Sequence, residues 1–490
     1  MLFFTCMLII IKSNYLKLLK IKYFILTMQQ KEKFLYKNFH WILFIVEFTL
    51  GCIIFYQGKK LGLFGYPKLG MDQHTILKTA IEISQGILPT PGKYLYSPSY
   101  TLFLALLAKI SHNSLPIMKL LQLAIASLIP AMIYKTGVAA KIGHPASAIA
   151  GIIWVACGSA LLISLDFLRA SPLALCFICL VYFTIKALEY KKYFFIAGIF
   201  AGLCMLGREN FIPVVYLPIL FWIFPKIRKK VKYSSIIIYI ACSILIMLPI
   251  LLYNFYHTGS FAILPGNGKN VFEFMQGKGT YSTPLVAALL VIKKIPNTIY
   301  NIISPFEIPN SLSIYAHREA IPLLKILNYP ITLHFAFIPA MLLSKSKIKW
   351  LLIILVGGYF VSIIFCDIYF RFRIPALPLL TLISSMGIIE IYRAIRDKSI
   401  KMLTIIPVLL AFVLIYFTVP ERLLPSSEKD ATVRLFMDRK NFDKAGSLLL
   451  KYRKLGVPSP QGEKVLIYLL VKEGKNQEAM YWYNTFKGSI

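Results

Sequence analysis

The sequence predicts an all-α, polytopic helical membrane protein. Of its 490 residues, 58% are hydrophobic and only 15% are charged, whereas soluble domains carry about 25% charged residues. Apolar stretches close to the roughly 18 residues that cross a bilayer recur along the chain. Short clusters of lysine and arginine separate these stretches, as at the cytoplasmic face of membrane proteins. Soluble, fibrous and disordered classes are therefore excluded.

The excess of basic residues marks membrane orientation rather than a nucleic-acid partner. The chain has 54 Lys+Arg against 21 Asp+Glu, a formal charge of +33. In a soluble protein this balance would suggest nucleic acid, but here the cations lie between apolar spans.

The eight cysteines lie in or beside apolar runs, so we predict no disulfides, and the Cys176/Cys179 pair is interpreted as small helix residues rather than a metal site.

Eleven spans are predicted, and the positive-inside rule orients them. With the N-terminus inside, all five loop clusters of lysine and arginine fall on the cytoplasmic side. This agreement requires the apolar stretch 100–110 not to cross, and we interpret it as a juxtamembrane or re-entrant helix. The predicted spans are about 40–57, 117–135, 146–165, 171–188, 193–207, 211–225, 234–252, 327–344, 349–366, 374–391 and 402–419.

Three domains follow from this pattern. Residues 1–38 form a cytoplasmic N-terminal segment, whose first 27 residues are either a mis-assigned start before Met28 or an amphipathic segment. Residues 39–420 form the membrane domain, with large outer loops at about 58–116 and 253–326. Residues 421–490 form a polar extracytoplasmic tail.

The tail contains a candidate internal repeat. Ala445 and Ala479 lie 34 residues apart, and the apolar residues around Val433 match those around Ile467 at the same offset. A 34-residue helix-turn-helix period resembles tetratricopeptide repeats, so we predict about two such repeats in A-B-A-B order. A plain helical hairpin with a chance alignment is the alternative.

The first outer loop has a carboxylate at the start of an amphipathic helix. Asp72 begins the helix, which continues to about Gly86, and Tyr94, Tyr96 and Pro98 follow. This pattern resembles the polyprenyl-phosphate-sugar glycosyltransferases of the GT-C membrane superfamily, specifically the family 39 group of protein mannosyltransferases and aminoarabinose transferases. The resemblance implies that Asp72 is the catalytic carboxylate.

Three further motifs at predicted outer span ends extend the resemblance over most of residues 40–400. The chain departs from its relatives at Gln73, where they often have glutamate, and at Tyr253, where they often have arginine. The acidic residue that relatives often carry next to the catalytic aspartate therefore has no clear counterpart in this chain. His74 and Glu82 are the nearest residues in sequence that could replace it. The motifs are Gly202-Leu-Cys-Met-Leu-Gly-Arg208-Glu-Asn210 with Pro213, Tyr253-Asn-Phe-Tyr256 with Gly259-Ser-Phe261, and Tyr369-Phe-Arg371-Phe-Arg373-Ile-Pro375-Ala-Leu-Pro378.

The chemistry of such a transfer explains these residue types. Moving a sugar from a lipid phosphate to a hydroxyl needs a carboxylate that accepts a proton and cations that hold the leaving phosphate. We assign catalysis to Asp72, whose ionised form a helix start favours, and donor-phosphate binding to Arg208, Arg371 and Arg373. Each arginine has the alternative of anchoring a span end at the membrane surface. Further candidates for substrate contact are His74, Glu82, Tyr96, Tyr100, Asp166, Arg169, Asn210 and Tyr369.

The partners implied are a lipid-linked sugar donor and an envelope protein, lipid or glycan acceptor, in the cell (inner) membrane. No cofactor is assigned with certainty, and metal dependence is left open: a divalent metal is not indicated, because the acidic pair that would hold it is incomplete. The alternatives are a polysaccharide flippase or other transporter, an O-antigen polymerase or ligase, and a non-enzymatic scaffold that recruits partners through its tail. Charges at outer span ends favour the transferase over the transporter, and Asp72 in the first loop favours it over the polymerase or ligase; the scaffold alternative is left open.

Overall fold

The regular secondary structure that the structure describes is helical. A computed structural model describes residues 36–61, 72–89, 97–223, 231–259, 321–327, 333–363, 370–397, 433–454 without 435 and 439, and 459–487, with isolated positions at 64, 65, 67, 261, 292, 295, 296, 299 and 302. Residues 1–35, the predicted span 402–419 and most of the long loop 253–326 lie outside this description.

Nineteen helices are numbered here in chain order, and helices occupy ten of the eleven predicted span positions. They are α1 Tyr36–Lys60, α2 Asp72–Ser84, α3 Pro98–Ile110, α4 Leu115–Ala126, α5 Leu128–Ala139, α6 His144–Val155, α7 Gly158–Ser164, α8 Ala170–Lys186, α9 Tyr193–Gly207, α10 Phe211–Ile223, α11 Tyr233–Thr258, α12 Pro322–Ile326, α13 Leu333–Ala336, α14 Ile338–Leu342, α15 Ile348–Ile363, α16 Leu377–Arg396, α17 Phe442–Lys454, α18 Pro460–Lys472 and α19 Asn476–Lys487.

Several described helices are suited to cross a membrane. Four helical stretches have sufficient length and apolar character, namely Tyr36–Lys60, Leu115–Ala139, Tyr233–Thr258 and Ile374–Arg396. Shorter apolar helices, including α6, α8, α9 and α10, pack among them. The predicted class, an all-α polytopic membrane protein, is confirmed. At 13 residues α3 is shorter than the about 20 residues that span a bilayer.

Small residues allow the close packing of α9 against α11. A Cβ atom at Gly198 would lie 2.5 Å from the carbonyl oxygen of Tyr239, and one at Gly202 would lie 2.8 Å from that of Ser243. Glycines four residues apart lie on one face of a helix, so the two backbones approach directly. This contact holds the C-terminal end of α9, which carries Arg208, against a long span.

The ends of α8 and α9 define two opposite ends of the helix bundle. At one end, Arg169 precedes α8 and Arg208 follows α9, and both line one cleft. At the other end, the C-terminus of α8 lies among the basic segments. We call this end of the bundle the basic end. Among the described residues, one cleft there is lined by Lys37, Lys135, Lys141 and Lys186, and another by Lys141, Lys345, Lys347 and Arg393.

The tail forms a hydrophobic core of its own, and two of its turns share one geometry. Asn441 N–H donates to the Phe436 carbonyl before α17, and Lys475 N–H donates to the Leu470 carbonyl before α19, both at 2.9 Å. Lys440 and Gly474 have positive φ of 56° and 75° in these turns. Ala445 and Ala479 are buried at the same position of each helix. These two turns of like geometry lie 34 residues apart.

Candidate functional site

Three arginines line a cleft at the end of the bundle opposite the basic end. Arg169 comes from the turn before α8, Arg208 from the end of α9, and Arg371 from the 3₁₀ turn before α16. The cleft is narrow, with a cavity volume of about 20 Å³. The other described residues that line it are apolar, namely Ile76, Leu168, Ala170, Leu173, Phe372 and Pro375.

Phe372 orients two of the three guanidinium groups. The guanidinium carbon of Arg208 lies 3.7 Å from the centroid of the Phe372 ring, and that of Arg371 lies 5.5 Å from it. The ring itself is buried. A guanidinium over a ring face is attracted to it and loses conformational freedom, so both cations are partly ordered before any anion binds.

Arg169 connects the turn before α8 to the end of α9. Its Nη1 lies 3.5 Å from the carbonyl oxygen of Gly207, the last residue of α9. Desolvation raises the pKa of the neighbouring Glu209 carboxyl, and the positive charge of Arg169 opposes that rise. The carboxyl of Glu209 therefore becomes neutral at a higher pH than that of an ordinary glutamate.

Gln73, the second residue of α2, links the start of this helix to the turn beside the cleft. Asp72 is the first residue of α2, one helical turn before Ile76, which lines the cleft. The Gln73 amide donates to Oδ2 of Asp166 at 2.8 Å, and the other carboxylate oxygen of Asp166 accepts from the Phe167 N–H at 2.9 Å. Gln73 is only 2% exposed. This contact holds the backbone of Asp72 close to the turn that carries Arg169.

A buried polar network supports this turn from inside the bundle. Gln122 donates to the carbonyl oxygens of Ser164 and Asp166 at 2.9 and 2.6 Å, and accepts from the Tyr100 hydroxyl at 2.8 Å. Lys119 donates to the Leu165 carbonyl at 3.0 Å, and its ammonium lies 4.2 Å from the centroid of the Phe167 ring. The turn is therefore fixed by side chains from α3 and α4.

Sequence reasoning missed the roles of Gln73, Lys119, Gln122 and Phe372. Lys119 and Gln122 stand three residues apart in an otherwise apolar span. Polar groups inside membrane spans are costly and usually functional, so this signal was available. No sequence signal marks Phe372, because a phenylalanine between two arginines is indistinguishable from a membrane-interface aromatic.

The structure brings some of the predicted site residues together and separates others. Arg208, Arg371, Arg169 and Asp166 lie at the cleft or beside it. Arg373 does not: it is 1% exposed, and its Nη1 donates to the Ile302 carbonyl at 3.2 Å. Its neighbour Arg371 points into the cleft because the two stand on different faces of a tight 3₁₀ segment.

The remaining predicted residues take structural positions or fall outside the description. Asn210 donates to the Ser362 hydroxyl at 2.9 Å and joins α10 to α15. Nδ1 of His74 lies 3.2 Å from the Pro67 carbonyl. Tyr100 is buried against Gln122, and Glu82 lies partly buried near the end of α2. Tyr96 and Tyr369 lie outside the described residues. Among the residues described, no three side chains of the types His, Cys, Asp and Glu cluster as a metal site.

Residues 96–253 match the family model of dolichyl-phosphate-mannose-protein mannosyltransferases. This match confirms the predicted resemblance to the GT-C membrane glycosyltransferases, and it includes Asp166, Arg169 and Arg208. No curated protein sequence matches the chain.

Among solved structures, the chain is similar to the archaeal oligosaccharyltransferase AglB from Archaeoglobus fulgidus, determined with an inhibitory peptide and a dolichol-phosphate. The sequence identity is 14% and the TM-score is 0.46, over 89% of this chain. The chain spans 60% of the length of that protein.

Proposed function

We propose that the chain is a membrane glycosyltransferase that moves a hexose or pentose from a polyprenyl-phosphate donor to an acceptor hydroxyl. The observation that carries the proposal is the cleft in which Arg169, Arg208 and Arg371 meet beside the start of α2. Guanidinium groups bind phosphate oxygens in a planar, bidentate manner. The match of residues 96–253 to a family of lipid-phosphate-dependent mannosyltransferases supports the same class.

In the proposed reaction the acceptor oxygen attacks C1 of the sugar. The bond between C1 and the phosphate oxygen breaks, and its electron pair leaves with the polyprenyl phosphate. Asp72 accepts the proton of the acceptor hydroxyl, as a general base does. Its position at the N-terminus of α2 favours the ionised carboxylate that this role requires.

The arginines stabilise the leaving group. As C1–O cleavage proceeds, negative charge grows on the phosphate, and cations that are already in place stabilise that charge without further reorganisation. Arg208 and Arg371 are ordered by Phe372, and Arg169 by the end of α9. Arg373 has a structural role in this scheme, since it is buried against the Ile302 carbonyl.

We place the cleft on the extracytoplasmic face of the cell membrane. The basic clusters of four predicted inner segments converge at the opposite end of the bundle, and such clusters remain cytoplasmic. Lipid-linked sugars supply donors where nucleotide sugars are scarce. The comparisons give no support to the transporter and polymerase alternatives.

We further propose that residues 39–420 form the transferase domain and that residues 421–490 form a tetratricopeptide-like tail on the same face. The recurrence of turn geometry before α17 and α19 supports a helical repeat. Two repeats bury little core alone, so this tail is expected to pack on the outer loops or to bind an envelope protein or glycan.

The test is donor cleavage by the purified protein in liposomes. A panel of synthetic polyprenyl-phosphate hexoses and pentoses is supplied together with envelope extract from a strain that lacks the protein, and released polyprenyl phosphate is measured. Release from one donor, coupled to labelling of an envelope component, is expected. Failure of every donor with correctly folded protein would refute the proposal.

A further inference from the structure

A second cleft, at the basic end of the bundle, is outside the proposed reaction. It lies between the α5–α6 turn, the α14–α15 turn and the last turns of α16, and its cavity volume is about 410 Å³. The described residues that line it include four cations, one carboxylate and the hydroxyl-bearing Ser344 and Ser346. The charged residues are Lys141, Lys345, Lys347, Glu390 and Arg393.

Hydrogen bonds within the α14–α15 turn order the part of the cleft that carries Lys345 and Lys347. Nζ of Lys349 donates to the carbonyl oxygens of Leu342 and Ser344, both at 2.7 Å, and so closes the end of α14. The Ser344 hydroxyl accepts from the Ser346 N–H at 3.3 Å. This α14–α15 turn holds the backbones of Lys345 and Lys347 against α16.

Two of the four cations have no partner in the part of the chain that the structure describes. Lys345 and Lys347 are exposed, and none of the described residues makes a hydrogen bond or ion pair with either ammonium. Lys141 is 83% exposed on its side chain and lies 3.8 Å from Glu189. Arg393 pairs with Glu390 at 2.8 Å. The cleft thus has a net positive charge that no described residue neutralises.

Exposed apolar side chains flank the cleft where its elements enter the membrane. Leu342 and Leu343 precede Ser344, Trp350 follows Lys349, and Tyr392 stands beside Arg393; all four are exposed. Tryptophan and tyrosine concentrate at the headgroup level of a bilayer. The basic cleft is therefore at the depth of lipid phosphates, with apolar surface next to it for acyl chains.

We propose that this cleft binds the headgroup of an anionic phospholipid. The phosphate would lie between Lys345, Lys347 and Arg393, and the acyl chains would run along Leu342 and Trp350. Basic pockets between transmembrane helices on the cytoplasmic side recognise such headgroups. A soluble phosphate would use the same cations but would gain nothing from the exposed apolar side chains beside them, which is why we assign a lipid. The site is independent of the proposed transfer reaction.

The test is native mass spectrometry of the full-length protein in detergent with dioleoyl phosphatidylglycerol or dioleoyl phosphatidylcholine, which share their acyl chains. We expect retention of phosphatidylglycerol in preference to phosphatidylcholine, and affinity reduced roughly 10-fold or more in a K345Q/K347Q variant. The matched control is K191Q/K192Q, which removes two exposed lysines outside the cleft in the turn before α9. Both pairs are exposed, so neither variant should disturb folding.

A third variant changes affinity in the opposite direction. Glu390→Gln removes the carboxylate of the cleft and releases Arg393, so it should tighten phosphatidylglycerol binding. Equal binding by the wild type, K345Q/K347Q and Glu390→Gln would overturn the proposal. It would also be overturned if soluble glycerophosphoglycerol displaced the lipid at comparable concentration, because the site would then be one for free anions.

Discussion

The side-chain amide of Gln73 donates a 2.8 Å hydrogen bond to Oδ2 of Asp166, 93 residues later in the chain. This bond joins the first turn of α2, which begins at Asp72, to the turn that carries Arg169 into the cleft. One contact therefore fixes the backbone of the proposed general base relative to a proposed phosphate-binding cation. At this position a glutamate in place of Gln73 would set two carboxylates against each other.

Asp166→Ala should reduce the transfer rate roughly 10- to 100-fold, because a hydrogen bond to a charged group contributes about 1.5–3 kcal/mol. Asp166→Asn keeps an acceptor oxygen for Gln73 and should lose much less. Initial rates of transfer from the lipid donor measure both. If the Asn variant were as impaired as the Ala variant, the charge of Asp166 would be needed directly, and the positioning role would be wrong.

Arg371→Ala should raise the donor KM roughly 10-fold or more with a smaller effect on kcat, because it removes a charge-assisted contact to phosphate. Arg373→Ala serves as the comparison. It removes a buried cation that binds the Ile302 carbonyl, so it should lower the yield and thermal stability of the protein instead. Donor titrations and thermal melts of both variants separate the two effects. An unchanged donor KM in Arg371→Ala would move the phosphate role to Arg208 and Arg169.

Donor binding should tighten as the pH falls through the pKa of Glu209. Desolvation raises that pKa above the ordinary value of 4.5, so the carboxyl becomes neutral at a higher pH than an ordinary glutamate. Once Glu209 is neutral, the charge of Arg169 is no longer offset, and the donor KM should decrease. The pH profile of the donor KM tests this. Glu209→Gln should have the low KM throughout and lack this pH dependence; an identical profile in both proteins would contradict the assignment.

The two ends of the bundle should lie on opposite faces of the membrane. Single cysteines at Gln85, after α2, and at Lys347, in the basic cleft, replace exposed side chains. A membrane-impermeant maleimide added to intact cells should label the first above the background of the parent protein. It should label the second only after permeabilisation. Labelling of both in intact cells would remove the topological basis for an extracytoplasmic site.

The helices were predictable because apolar length and charge clusters are properties of the sequence alone. The location of Arg208 and Arg371 at the same end of the bundle was predictable in the same way, since each follows or precedes an apolar span on the predicted outer face. In the tail, Ala445 and Ala479, which we aligned in the sequence, are buried at matching positions of α17 and α19; the tetratricopeptide-like repeat itself stays a prediction.

The distinction between Arg371 and Arg373 was not predictable. Both stand in the same motif, and only the 3₁₀ geometry of residues 370–376 directs one to the cleft and buries the other. The Gln73–Asp166 bond was also inaccessible, because it depends on how α2 packs on α3 and on the turn before α8. Contacts between segments about 90 residues apart leave no local pattern.

The most direct test compares Asp72→Asn with the wild type in the liposome assay. The control is Asp397→Asn, the same substitution at an exposed aspartate at the basic end. Asparagine keeps the size and shape of the side chain but cannot accept the proton, so Asp72→Asn should slow transfer from the lipid donor on the order of 100-fold or more. Asp397→Asn should transfer at the wild-type rate. A normal rate in inserted, folded Asp72→Asn would contradict the proposed mechanism.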